Sequence, residues 1–171
     1  MRKLRIIIMV RCAVIAAMYF TLTYSVAPIA FGPLQFRPGE ALTLLPLLFP
    51  ESILGITIGC FLANVFSPYG WYDMLFGTLA TLIAAIMTYT IGRSLKTKKV
   101  SIKALYGSIP PVLVNALMLP LIWLFFSSDQ LYLYNFITIF ATQTGVILFL
   151  GVPLVVALSK IKIFSVKKMQ N

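Results

Sequence analysis

The chain has 171 residues, of which 60% are apolar and 11% charged, and its mean hydropathy is +0.97. Soluble domains run at about 45–50% apolar and about 25% charged, and one core of this size cannot bury the excess. Disorder is excluded too, because disordered chains combine low hydrophobicity with high charge. The class that remains is an all-α integral membrane protein.

A spanning helix takes about 20 residues, so six transmembrane helices use roughly 120 and leave about 50 for loops and tails. The expectation is therefore a single membrane domain over residues 1–171, with no soluble domain. The net charge is +10, from 14 Lys and Arg against 4 Asp and Glu. The basic residues form three groups beside apolar runs: Arg2, Lys3, Arg5 and Arg11; Arg93, Lys96, Lys98, Lys99 and Lys103; Lys160, Lys162, Lys167 and Lys168. They read as cytoplasmic anchors under the positive-inside rule, not as a nucleic-acid surface.

The first apolar run, Ile6 to about Ala27, follows the first basic group. Ser25-Val26-Ala27 is a passable signal-peptide cleavage site, but the run is long for a signal core, and Arg11 near its inner end can snorkel. It is read as a retained first helix. Pro28 to Glu40 breaks the pattern with Pro28, Gly32, Pro33, Pro38 and Gly39. A short apolar stretch, Ala41 to Phe49, ends at Pro50-Glu51, and a third helix follows from about Ser52 to Phe66. Ser67 to Trp71 forms a turn, and a fourth helix runs from about Asp73 to Gly92. The basic loop Arg93 to Lys103 leads to a fifth, about Ala104 to Phe126. The polar turn Ser127-Ser128-Asp129-Gln130 precedes a sixth, about Leu133 to Leu158. Six spans place both termini and the basic loop on one side, which gives an N-in, C-in topology.

From Gly39 to Pro50 an α-helix would extend about 17 Å, and the third helix about 22 Å, against about 30 Å of hydrocarbon. The hairpin is too short for two full crossings. Residues 28 to 40 are therefore expected to fold back below the outer surface, where irregular backbone survives only if buried in protein or lining a cavity. An outward-opening site follows from this.

Ionisable groups at that depth are costly, so Arg37 and Glu40 read either as ligand contacts or as an i, i+3 pair in the first turn after Pro38. Gln35 and Phe36 lie beside them. Asn64, Tyr69, Trp71 and Asp73 form a second outward group. Tyr69 and Trp71 suit an aromatic belt equally well, and Asp73 suits a helix cap. Asn64, Asn115 and Gln143 are amides within apolar spans, which need either a neighbouring helix or a ligand. Glu51 reads as an ordinary charge at a helix N-terminus. Four-residue spacing of small residues marks close helix approach for Ala13 and Ala17 on the first helix, and for Gly55, Gly59 and Ala63 on the third. Cys12 and Cys60 sit in apolar runs as small hydrophobes. The sequence has no histidine, phosphate-binding glycine loop, paired carboxylates or metal cluster, so no catalytic residues and no cofactor are expected.

Phe31-Gly32-Pro33-Leu34-Gln35-Phe36-Arg37 through Glu40-Ala41-Leu42-Thr43-Leu44-Leu45-Pro46, then Gly59-Cys60-Phe61-Leu62-Ala63-Asn64 and Phe76-Gly77-Thr78-Leu79-Ala80-Thr81, give the chain a familiar look. It resembles the QueT family of queuosine-precursor transporters, substrate-specific S components of energy-coupling factor (ECF) importers. That resemblance implies a six-helix S-component bundle in the bacterial plasma membrane. It implies binding of a pyrrolopyrimidine such as preQ0, preQ1 or queuine, and docking on a scaffold protein and two ATPase subunits. The chain itself would not be an enzyme. Ala13 and Ala17 match the family's Ala-x-x-x-Ala scaffold contact. Glu40 would accept neighbouring N–H groups of the ligand, with Phe36 or Trp71 stacking on it. Gln35, Arg37 and Asn64 would meet its carbonyl and ring nitrogens, and Asp73 an aminomethyl cation. An S component for another vitamin-like heterocycle, a stand-alone secondary carrier and a purely structural membrane protein are the competing readings.

Overall fold

A computed structural model gives the fold and describes residues 2–32, 34–97, 99–126 and 131–161, with side chains from Arg5 onward. The polar turn expected at residues 127–130, Pro33, Lys98, Lys162, Lys167 and Lys168 lie outside the described residues.

All regular structure among the described residues is helical. Helix α1 spans Arg2–Tyr24, and a single turn, α2, spans Ala27–Ala30. A 3-10 helix follows at Pro38–Leu47, then α3 at Ser52–Asn64. A π turn, Asp73–Gly77, runs into α4, Thr78–Ser94. Helices α5 (Val100–Gly107) and α6 (Ile109–Phe126) form one rod broken ahead of Pro110. The last rod comprises α7 (Tyr132–Val146), a π turn at Ile147–Gly151 and α8 (Val152–Lys160). Among the described residues, four rods are long and apolar enough to cross a membrane: Arg5–Tyr24, Asp73–Ser94, Val100–Phe126 and Tyr132–Lys160. Helix α3, at 13 residues, is shorter. In hydrocarbon every backbone polar group must be satisfied within the protein, which is why these apolar runs close into helices.

The short second element departs from expectation. It is wound as a 3-10 helix of 10 residues beginning at Pro38, not as an α-helix from Ala41. At about 2.0 Å per residue it covers roughly 20 Å, more than the same residues would as an α-helix. Gly39 through Pro46 are all buried, so this element is the axis around which α1, α3, α4, α8 and the second π turn pack. An element hydrophobic on every side suits such a central position.

Close approach holds α1 against α3. A Cβ on Gly55 would come within 2.8 Å of the Cys12 carbonyl oxygen, and one on Gly59 within 2.7 Å of both the Ala16 oxygen and the Tyr19 Cβ. The small-residue stripe on α3 thus packs internally. Ala13 and Ala17 lie on the opposite, exposed side of α1. At the other end of this pair, Glu51 is the N-cap of α3 and accepts a hydrogen bond from Arg11 Nη1 at 3.0 Å. Arg11 also lies over the Phe49 ring, and the Cys12 thiol donates to the Glu51 carbonyl. Glu51 is therefore a link between helices as well as a terminal charge.

Substituting Gly59→Val should lower stability by about 1–3 kcal/mol through forced separation of α1 and α3. Gly145→Ala, where an added Cβ meets nothing within 4 Å, should be neutral or slightly stabilising. Thermal unfolding of both variants in detergent checks the contrast.

Candidate functional site

The return segment is built around one unusual backbone position. Gln35 adopts φ +47, the left-handed region, and its N–H donates to the Gly32 carbonyl at 3.0 Å. A non-glycine residue held there marks a conformation imposed by its surroundings. Arg37 then runs extended, at φ −110 and ψ 94, as a residue before proline prefers. Side chains alternate along extended chain. Gln35 and Arg37 point inward, whereas Phe36 points out and is 37% exposed.

Arg37 is satisfied on three sides. Nε donates to the Ala30 carbonyl at 3.1 Å, Nη1 to Asn64 Oδ1 at 3.0 Å and Nη2 to Asp73 Oδ2 at 3.0 Å. The guanidinium lies over the Phe31 ring, 5.2 Å from its centroid. Asn64 Nδ2 donates to the Asp73 carbonyl at 3.0 Å, and the Ser67 hydroxyl donates to Asp73 Oδ2 at 2.7 Å. Gly77 closes the π turn because a Cβ there would meet Asn64 Nδ2 at 3.0 Å and Asp73 Oδ1 at 3.1 Å. One guanidinium thereby ties together the return segment, the end of α3 and the start of the α4 rod.

Glu40, in the first turn of the 3-10 helix, does not pair with Arg37. The expected i, i+3 pair presumes that Arg37 is already helical, whereas it is extended and is drawn instead to Asp73. Among the described residues, the acid and base pairs are Arg11 with Glu51 and Arg37 with Asp73. Glu40 Oε1 accepts a hydrogen bond from the Tyr19 hydroxyl at 2.5 Å and lies 3.5 Å from the Thr81 hydroxyl. Asn115 faces the same carboxyl group.

Several buried polar atoms have no hydrogen-bond partner among the described residues: Gln35 Oε1, Glu40 Oε2, Asp73 Oδ1, Gln143 Oε1, the Thr23 and Thr78 hydroxyls and Trp123 Nε1. Native interiors leave few such atoms, and a site built to receive a polar guest is one physical reason for them. Most are acceptors. On α6, Asn115, Leu119 and Trp123 recur every fourth residue on one buried face, and on α7 Asn135, Ile139 and Gln143 do the same. Trp123 stacks on Tyr69, with ring centroids 4.5 Å apart and planes at 13°.

Of the residues singled out from sequence, Gln35, Arg37, Glu40, Asn64, Asp73, Asn115 and Gln143 are all buried, and Tyr69 is half-buried. Trp71 is 56% exposed and packs on Tyr72 and Phe126, so it stands outside this group with Phe36. Asp73 makes no side-chain cap, because the turn it begins is a π turn and its Oδ2 is taken by Arg37 and Ser67. Tyr19, Thr81 and Trp123 were missed. The signal for Tyr19 lay in its place on α1, one turn beyond Ile15 and Ala16 and away from Ala13 and Ala17.

The sequence profile of the QueT transporter family matches residues 9–160. The chain belongs to the QueT transporter family. It is similar to the queuosine precursor transporter QueT of Lactococcus lactis subsp. cremoris (strain MG1363), with 35% identity over 85 residues. The alignment covers 48% of this chain and 50% of that protein, so the chain spans about half the length of the curated relative it matches. No solved structure matches the chain. The family and the apolar rods together make this QueT member a multi-pass membrane protein.

Removing one partner of a buried ion pair leaves an uncompensated charge and costs about 3–5 kcal/mol, whereas replacing both with apolar groups is often nearly neutral. Arg37→Met alone should therefore lower ligand-free stability by about that amount, and Arg37→Met with Asp73→Leu should recover part of it. Thermal melts in detergent distinguish this framework role from a role in ligand contact alone.

Proposed function

We propose that this chain is the substrate-binding membrane subunit of an ECF-type importer. In this reading it crosses the bacterial plasma membrane six times, with both termini inside, as a single domain. It captures a queuosine precursor of the pyrrolopyrimidine class from outside. ATP hydrolysis belongs to two partner ATPases, joined to this subunit through a scaffold protein that docks on the exposed Ala13 and Ala17 face of α1.

The observation that carries the proposal is a set of buried acceptors, Glu40 Oε2 and the side-chain oxygens of Gln35 and Gln143, that lack partners among the described residues. A 2-amino-pyrimidinone edge presents adjacent N–H donors that complement such acceptors. Arg37 is engaged by Asp73, which leaves Glu40 without an ion-pair partner among the described residues. A guest rich in N–H groups, or carrying an amino cation, fits that balance better than an anion. The Tyr69 and Trp123 pair supplies an aromatic wall for a flat ring. In this assignment Glu40, Gln35, Asn115 and Gln143 read the ligand, while Arg37, Asn64 and Asp73 chiefly hold the frame. The name of the Lactococcus lactis relative points to the same substrate class.

Mass spectrometry of the detergent-purified protein should find a co-purifying pyrrolopyrimidine. A pterin, thiamine-like compound or flavin would overturn the substrate while leaving the architecture. Glu40→Gln should weaken binding of preQ1 by about 10- to 100-fold, since a charge-assisted acceptor is lost. In proteoliposomes, uptake should require the ATPase module and ATP, and uptake by this chain alone under an ion gradient would instead favour a self-sufficient carrier.

A further inference from the structure

The two oxygens of Glu40 have different surroundings. Oε1 receives the Tyr19 hydroxyl at 2.5 Å and lies 3.5 Å from that of Thr81, whereas Oε2 is buried with no hydrogen-bond partner among the described residues, and Asn115 faces the carboxyl group. A glutamate side chain has several rotatable bonds, and nothing in its own chemistry decides which oxygen faces a ligand. Tyr19 can make that decision because it is itself immobile. It is 0% exposed, and α1 lies so close to the 3-10 helix that a Cβ on Gly39 would sit 2.8 Å from the Tyr19 carbonyl oxygen and 3.2 Å from its ring. On the other side, Gly59 of α3 meets the Tyr19 Cβ. The ring is thus held between the helix that carries Glu40 and α3, and its hydroxyl pins one carboxylate oxygen in place.

We propose that Tyr19 is a positioning residue for substrate specificity: by holding Glu40 Oε1 it turns Oε2 toward the ligand, so that recognition of an exocyclic amino group depends on a hydroxyl that never touches the ligand. This rests on the assignment of Glu40 as the ligand acceptor. A preset carboxylate loses nothing to reorientation when the guest arrives, and it penalises a guest that brings no N–H to Oε2, because that oxygen then stays buried and unpaired. Without the Tyr19 hydroxyl, Glu40 keeps only the long contact with Thr81 and its neighbour Asn115, its orientation is less sharply fixed, and the distinction between guests with and without the amino group weakens.

The test measures dissociation constants in detergent for two probes, preQ1 and its analogue lacking the 2-amino group, on wild type and Tyr19→Phe. Wild type should prefer preQ1 by about 100-fold. Tyr19→Phe should bind preQ1 about 10-fold more weakly and the analogue within about 3-fold of wild type, so that the preference shrinks about 10-fold. In a Glu40→Gln background, Tyr19→Phe should have no further effect on that preference. Should Tyr19→Phe not be recovered folded, Tyr19→Met removes the hydroxyl with an adaptable side chain and is read the same way. Equal weakening of both probes would make Tyr19 a packing residue and overturn the proposal, as would an unchanged preference. Wild type that binds neither probe refutes the substrate assignment itself, an outcome distinct from a wild type that binds preQ1 but does not depend on Tyr19.

Discussion

A guanidinium in the interior of a membrane protein has to be neutralised and hydrogen-bonded within the protein, and one end of this molecule is organised around that requirement. Arg37 meets a backbone carbonyl and an aromatic face from the adjacent Ala30 and Phe31, an amide oxygen from Asn64 and a carboxylate from Asp73, three separate parts of the chain. An unpaired charge at this depth would cost several kcal/mol, so the segments supplying these groups are held to one another. The left-handed Gln35, the extended Arg37 and the π turn from Asp73 to Gly77 are local departures from regular structure that bring the partners within reach. Such departures persist where surrounding contacts over-determine them, and π turns in particular gather at functional sites.

With Arg37 committed to Asp73, the remaining acid, Glu40, is left to neutral donors. Tyr19, Thr81 and Asn115 surround it from α1, α4 and α6. The site thus holds one acid paired with a guanidinium, Asp73, and one, Glu40, with no ion-pair partner among the described residues, and each keeps one carboxylate oxygen without a hydrogen bond there. The distinction lies in charge pairing, since both acids are equally buried.

Helix α1 serves both ends of this arrangement. Its inner face, through Cys12, Ile15, Ala16 and Tyr19, packs on the glycines of α3 and reaches Glu40, while Ala13 and Ala17 look outward. Close approach of α1 to α3 is possible because Gly55 and Gly59 carry no side chain, and the same closeness fixes the ring of Tyr19. The 3-10 winding of the central element complements this. It lets ten residues reach farther than an α-helix of equal length and carries Glu40 in its first turn.

Much of this was legible beforehand. Apolar run lengths and the grouping of lysines and arginines revealed the long rods, because a helix is the only structure these runs can form alone in hydrocarbon. The prolines and glycines between residues 28 and 40 exposed the irregular return, and the scarcity of ionisable groups drew attention to Arg37, Glu40 and Asp73. Composition could not say which partners those groups would choose. An i, i+3 pair was reasonable for a helix, but the left-handed turn at Gln35 placed Arg37 outside one and within reach of Asp73, 36 residues away. Thr81 and Trp123 resemble the ordinary residues of an apolar span, and for Tyr19 the spacing on α1 marks the buried face but not its partner. Their roles exist only where separate rods meet, and there packing and hydrogen bonding between distant segments, which no local pattern encodes, assign the partners.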